Sequence, residues 1–125
     1  MLADGNFEFP SIDWRAIGSK HERLYATTSA AAGMLHTGIA ALSTATGRLD
    51  TYDFGPLVNA GEPVFAADPR RGLDEGWLIT QTLDLERGTS GFSLLDAQNV
   101  AAGPVASVEL GETMPLSFHG QWVAA

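Results

Sequence analysis

A chain of 125 residues is enough for one domain, and a hydrophobic content of 45% is that of an ordinary globular protein. Fifteen acidic against seven basic residues leave a formal charge of -8, which repels nucleic acid rather than attracting it. With no cysteine there is no disulfide framework, no thiolate nucleophile and no cysteine-rich zinc site, so any metal has to be held by histidine or carboxylate.

No apolar run approaches the roughly 20 residues that span a bilayer. The opening Met1-Leu2-Ala3-Asp4-Gly5 has neither the basic nor the apolar region of a secretory signal, so a cytoplasmic location is the expectation. Asn6-Phe7-Glu8-Phe9-Pro10 alternates and then meets a proline, as a short edge strand does. Residues 11–20 read as irregular, with a helical turn at Trp14-Arg15-Ala16-Ile17 stopped by Gly18. A strand over His21–Thr28 follows, then a small-residue loop from Thr28 to Gly33.

Met34–Ser43 reads as a strand, Thr44–Gly47 as a hairpin turn, and Arg48–Phe54 as the returning, partly buried strand. Gly55 and Gly61 bracket a loop ending in Glu62-Pro63-Val64-Phe65, and 68–76 reads as a charged surface loop. The strongest strand is Gly76–Leu85. A turn over 86–90 leads to a second strand at Gly91–Asp96, a connector to Gly103, and a third strand over Pro104–Leu110. After the turn Gly111-Glu112-Thr113, the motif Pro115-Leu116-Ser117-Phe118-His119-Gly120-Gln121-Trp122 reads as a closing strand. Gly120 there makes room beside the imidazole for a ligand or another backbone. Taken alone, His119 is either a metal ligand or an ordinary half-buried histidine. Glu8 and Glu62 are either functional or solvated carboxylates, and Phe118 and Trp122 either line a substrate tunnel or pack a core. His21, beside Glu22 and Arg23, reads as a surface residue.

The ending Pro-Leu-Ser-Phe-His-Gly-Gln-Trp resembles the closing motif of the carotenoid cleavage oxygenases, the family of the lignostilbene dioxygenases and the retinoid isomerase. Four further motifs follow that family's order: Phe7-Glu8-Phe9-Pro10-Ser11-Ile12-Asp13, Gly61-Glu62-Pro63-Val64-Phe65, Asp74-Glu75-Gly76-Trp77-Leu78, and Asp96-Ala97 with Gly103-Pro104-Val105-Ala106. The resemblance covers essentially the whole chain and only the last quarter or so of a typical member.

It implies an all-β chain, one unit over 1–125, supplying about two blades and the closing strand of a seven-bladed β-propeller. The hairpin glycines Gly47 and Gly88 are about one blade apart, within the roughly 40–45-residue blade period. Two blades leave open edges, so the expectation is a C-terminal portion completed by missing N-terminal blades or by self-association. Family members hold Fe(II) with four histidines, several oriented by glutamates, and use dioxygen to cleave an apolar alkene of carotenoid, apocarotenoid or stilbene type. Carried over, His119 matches the last iron ligand, and Glu8 and Glu62 match carboxylates that orient ligand imidazoles. His21 and His36 fall where the motifs mark no ligand, so three ligands are lacking and the isolated chain is expected to be inactive. The alternative is a non-catalytic β-domain that self-associates or docks on a propeller. Other enzyme chemistry finds no phosphate-binding glycine loop and no nucleophile with its base.

Overall fold

The computed structural model describes residues 3–30 and 33–124. Ala31 and Ala32, within the expected small-residue loop, lie outside the described residues. Two antiparallel sheets account for the chain. The first runs in sequence order from β1 (Asn6–Ser11) through β2 (Arg23–Ser29) and β3 (Gly38–Ser43) to β4 (Leu49–Asp53). The second comprises β5 (Val58–Ala60), β6 (Val64–Ala67), β7 (Gly76–Asp84), β8 (Thr89–Asp96) and β9 (Pro104–Glu109). In it β5 and β6 lie along different stretches of β7, which is followed by β8 and β9.

β5 and β6 are therefore one interrupted strand, the first pairing with Thr82–Asp84 and the second with Gly76–Ile79. The interruption has a chemical cause. Pro63 has no N–H for the ladder, while Gly61 donates its own to Gln81 O at 2.8 Å and its carbonyl is taken by the Thr80 hydroxyl at 2.8 Å. β1 breaks in the same way. Its register shifts between Glu8 and Ser11, and Phe9 adopts a φ of 52°, a left-handed conformation that a bulky side chain rarely accepts.

The sheets face each other across one core. Tyr25, Ile39 and Ala41 come from the first sheet, and Ala60, Phe65, Leu78 and Leu95 from the second, with Ala97 and Val100 from the connector before β9. Tyr25 is fully buried and stacks on Phe65 with ring centroids 5.5 Å apart.

A polar tie supplements that contact. Asp13 caps the first of two short helical turns, Trp14–Ala16, by accepting from Arg15 N at 3.0 Å, and pairs with the Arg15 guanidinium at 2.6 Å. The same carboxylate accepts from Asp74 N at 3.0 Å, and Asp74 in turn accepts from Glu22 N at 3.1 Å. Asp74 O receives the Tyr25 hydroxyl at 3.1 Å and the Gln98 amide at 2.6 Å. The loop between β6 and β7 is thus docked onto the first sheet.

Five sequence expectations change. The strand expected over Met34–Ser43 begins only at Gly38. The loop between Gly55 and Gly61 contains β5, and Val64 begins a further strand, β6. The charged stretch at 68–76 is a largely exposed loop, as expected, but Asp68 and Asp74 within it are buried and hydrogen bonded. The turn at 86–90 is shorter, since Thr89 and Ser90 already belong to β8. Finally, no closing strand follows β9: Leu110 and Glu112 still bond the backbone of Ser90, and residues 113–124 join no strand. Pro115 and the outward side chains around it leave that segment as a strap lying on the second sheet.

Gly76 is required where β7 meets β6, because a Cβ there would lie 2.3 Å from Ala66 O. Gly76→Ala is expected to lower stability by about 2 kcal/mol, measured as a fall in the urea midpoint at constant slope.

Candidate metal centre

Three segments meet at the two strand breaks: the Glu8-Phe9-Pro10 bulge, the Glu62-Pro63 jog and the strap carrying His119. Glu62 is the most firmly held of the candidate residues, its side chain only 14% exposed. Its Oε2 accepts from Gly120 N at 2.7 Å, and its Oε1 lies 3.5 Å from His119 Nδ1. The first is a strong charge-assisted bond and the second a long one. The carboxylate is anchored by the backbone and offers its other oxygen to the ring. That contact favours the tautomer with the proton on Nδ1 and leaves Nε2 as the donor atom.

His119 is 79% exposed, so it is not the half-buried core histidine of the bland reading. Gly120 does make room, but for the second sheet: a Cβ there would stand 3.1 Å from the Val64 side chain. Phe9 packs its ring against His119 at 6.1 Å and Phe118 at 6.3 Å, and meets His36 edge-on at 6.4 Å. Phe9 was not among the sequence candidates. The one signal for it is Pro10, which excludes the right-handed helical region for the residue before it.

The two glutamates part company. Glu8 is exposed on β1 and its carboxylate has no hydrogen bond or ion pair among the described residues, whereas Glu62 is engaged. Phe118 and Trp122 are 75% and 49% exposed and so do not pack a core in this chain. His21 is half-buried rather than superficial, and neither an ion pair nor a ring contact joins it to His119 or Glu62 among the described residues. His36 is buried, with Nδ1 unpartnered. An open hollow lined by Phe9, Pro10, Trp14, Glu62, His119 and Gln121 fronts the imidazole.

Among the described residues no three histidine, aspartate or glutamate side chains converge as a metal site requires. What the chain offers Fe(II) is one imidazole backed by a carboxylate, which fits a single corner of a histidine-ligated site and not a complete one.

The family model described as Retinal pigment epithelial membrane protein matches residues 1–124. The chain belongs to this family. Among curated members, it is 35% identical over 98% of its length to 9-cis-epoxycarotenoid dioxygenase NCED1 of Oryza sativa subsp. japonica, of which it covers 20%. It is 33% identical to the carotenoid cleavage oxygenase of Mycobacterium tuberculosis, covering 92% of this chain and 24% of that protein. Against solved structures it superposes on a mutant of Synechocystis apocarotenoid oxygenase with a TM-score of 0.93 at 24% identity, over 99% of this chain and 26% of the other. A cobalt-substituted form of the same oxygenase gives a likeness of the same extent. The chain thus spans about a quarter or less of the family members it matches. The fold is that of part of a carotenoid oxygenase β-propeller, with the two sheets as blades.

Proposed function

We propose that this chain is the C-terminal part of a non-haem Fe(II) dioxygenase that cleaves a C=C bond of a carotenoid, apocarotenoid or stilbene-type substrate. In this reading His119 is one iron ligand, Glu62 orients it, and Glu8 is kept for an imidazole from outside this chain. The observation that carries it is the Glu62 carboxylate, clamped by Gly120 N while facing His119 Nδ1.

Bound Fe(II) would supply dioxygen activation. This chain's own part is to hold the His119 proton on Nδ1 against Glu62, to keep Nε2 clear, and to present Phe9 and Phe118 as an apolar flank for an alkene. One imidazole gives weak retention, so the isolated chain is expected to be inactive until the remaining ligands are provided.

The test is anaerobic loading with Fe(II), followed by paramagnetic line broadening in the native chain and in His119→Ala. Broadening centred on His119 and Glu62 that disappears in His119→Ala is the expected result. Iron bound equally by His119→Ala, or centred on Asp74 or His36, would remove His119 from the metal site.

A second reading, a non-catalytic β-domain acting through self-association, draws on the exposure of Val105, Val108, Phe118 and Val123, each more than half accessible. A stable metal-free oligomer on gel filtration, with no broadening at His119, favours it.

A further inference from the structure

The strap leaves β8 through backbone bonds of Ser90 with Leu110 and Glu112, and beyond that point three side chains hold it across the second sheet. Ser90 on β8 takes both backbone groups of Met114, accepting from its N–H at 2.9 Å and donating to its carbonyl at 3.2 Å. Gln81 on β7 donates from Nε2 to Pro115 O at 3.0 Å and accepts from Ser117 N at 3.2 Å. Glu62, between β5 and β6, receives Gly120 N. The strap therefore crosses β8, then β7, then the jog, and each crossing is fastened by one polar side chain.

The Gln81 contact has a particular form. It takes the carbonyl before Leu116 and the N–H after it, the two groups that one residue of a parallel strand takes from its neighbour. One carboxamide can do this because it carries a donor and an acceptor side by side. Gln81 is 7% exposed and shares its surroundings with Val64, Ile79, Phe92 and Trp122. An amide unpaired in such company is costly, so its two bonds are close to obligatory.

We propose that Gln81 is the positioning residue for His119, setting where the imidazole stands by fixing the backbone two residues before it. The inference rests on His119 being a metal ligand for its functional meaning, but not for its geometry. Gln81 touches neither His119 nor Glu62. It acts by holding Ser117, so that Gly120 arrives within reach of the Glu62 carboxylate.

The experiment compares the ¹⁵N-labelled native chain with Gln81→Leu and Ser90→Ala, reading amide exchange with solvent, the ¹⁵N shifts of the His119 ring, and broadening by Co(II). Gln81→Leu should speed exchange at Ser117 and Gly120 by about tenfold or more and shift His119 Nδ1, with the Thr80 and Thr82 amides unchanged. Ser90→Ala should free Met114 with a smaller effect at Gly120. Unchanged exchange at Ser117 and Gly120 in a folded Gln81→Leu chain would overturn the proposal. So would acceleration spread evenly over β7 and β8, which is a loss of stability and not of position. If the Gln81→Leu shifts appear but Co(II) leaves native His119 unbroadened, the positioning stands and the metal reading falls.

Discussion

Tyr25→Ala is expected to cost about 4 kcal/mol, a large share of the roughly 5–15 kcal/mol that holds a domain of this size together. Tyr25 is completely buried and spans the space between the two sheets, its ring stacked on Phe65 and its hydroxyl on Asp74 O. Truncation removes the ring, leaves a cavity on both sheets at once and takes away one of the two donors to Asp74 O, leaving the Gln98 amide. Burial and the neighbouring Asp74 hold the phenol well above the ordinary tyrosine value, so at every ordinary pH it stays protonated and donates. Tyr25→Phe separates the two contributions: it keeps the stacking and should cost about 1 kcal/mol. Urea melts of the three proteins give both numbers. A loss below about 1 kcal/mol for Tyr25→Ala would mean that the sheets do not depend on one another.

The second large effect is at Asp13. Burial raises its carboxyl, but the hydrogen bonds from the Arg15 side chain, Arg15 N and Asp74 N outweigh it and hold it below the ordinary carboxylate value. Asp13→Ala leaves the Asp74 N–H without its acceptor and the Arg15 guanidinium with Gly72 O but no carboxylate. The expected cost is about 2–3 kcal/mol at neutral pH, below that of a fully buried pair because Arg15 is 36% exposed. A carboxyl lowered on folding stabilises the chain above its unfolded value of about 3.9, and the contribution is lost as the pH falls through the lower folded value. The native and Asp13→Ala melting curves should therefore converge below about pH 4. Parallel curves down to pH 2 would show that the carboxylate charge contributes nothing.

The long hairpin at 76–96 was legible in the sequence because Trp77, Ile79, Thr80 and Thr82 are strand-forming residues and Gly88 marks its turn. β5 was not, since Val58-Asn59-Ala60 is too short to show a period, and β6 is apolar throughout without alternation. Asp68 and Asp74 read as surface residues because charge in a glycine- and proline-containing stretch ordinarily is. Their burial follows from partners far along the chain, such as Asp13, 61 positions from Asp74. Glu62 and His119 are 57 positions apart. Only the family resemblance suggested them together; periodicity had no means of doing so. Gln81, between Thr80 and Thr82, carried no such signal. The closing strand was the plainest difference: Leu116 and Phe118 have strand-forming side chains, but side chains of the sheet took the place of backbone partners.

The strap's attachment also sets an order of events. Its three side-chain fasteners, Glu62 at the break between β5 and β6, Gln81 on β7 and Ser90 on β8, precede it in the chain, and these strands pair without it. The second sheet can form first, with the strap seating onto a finished surface by a handful of bonds that open and close locally. His119 is then the last group to arrive and the first to leave. The placing of the imidazole is thereby governed by a short local closure and not by the folding of the domain.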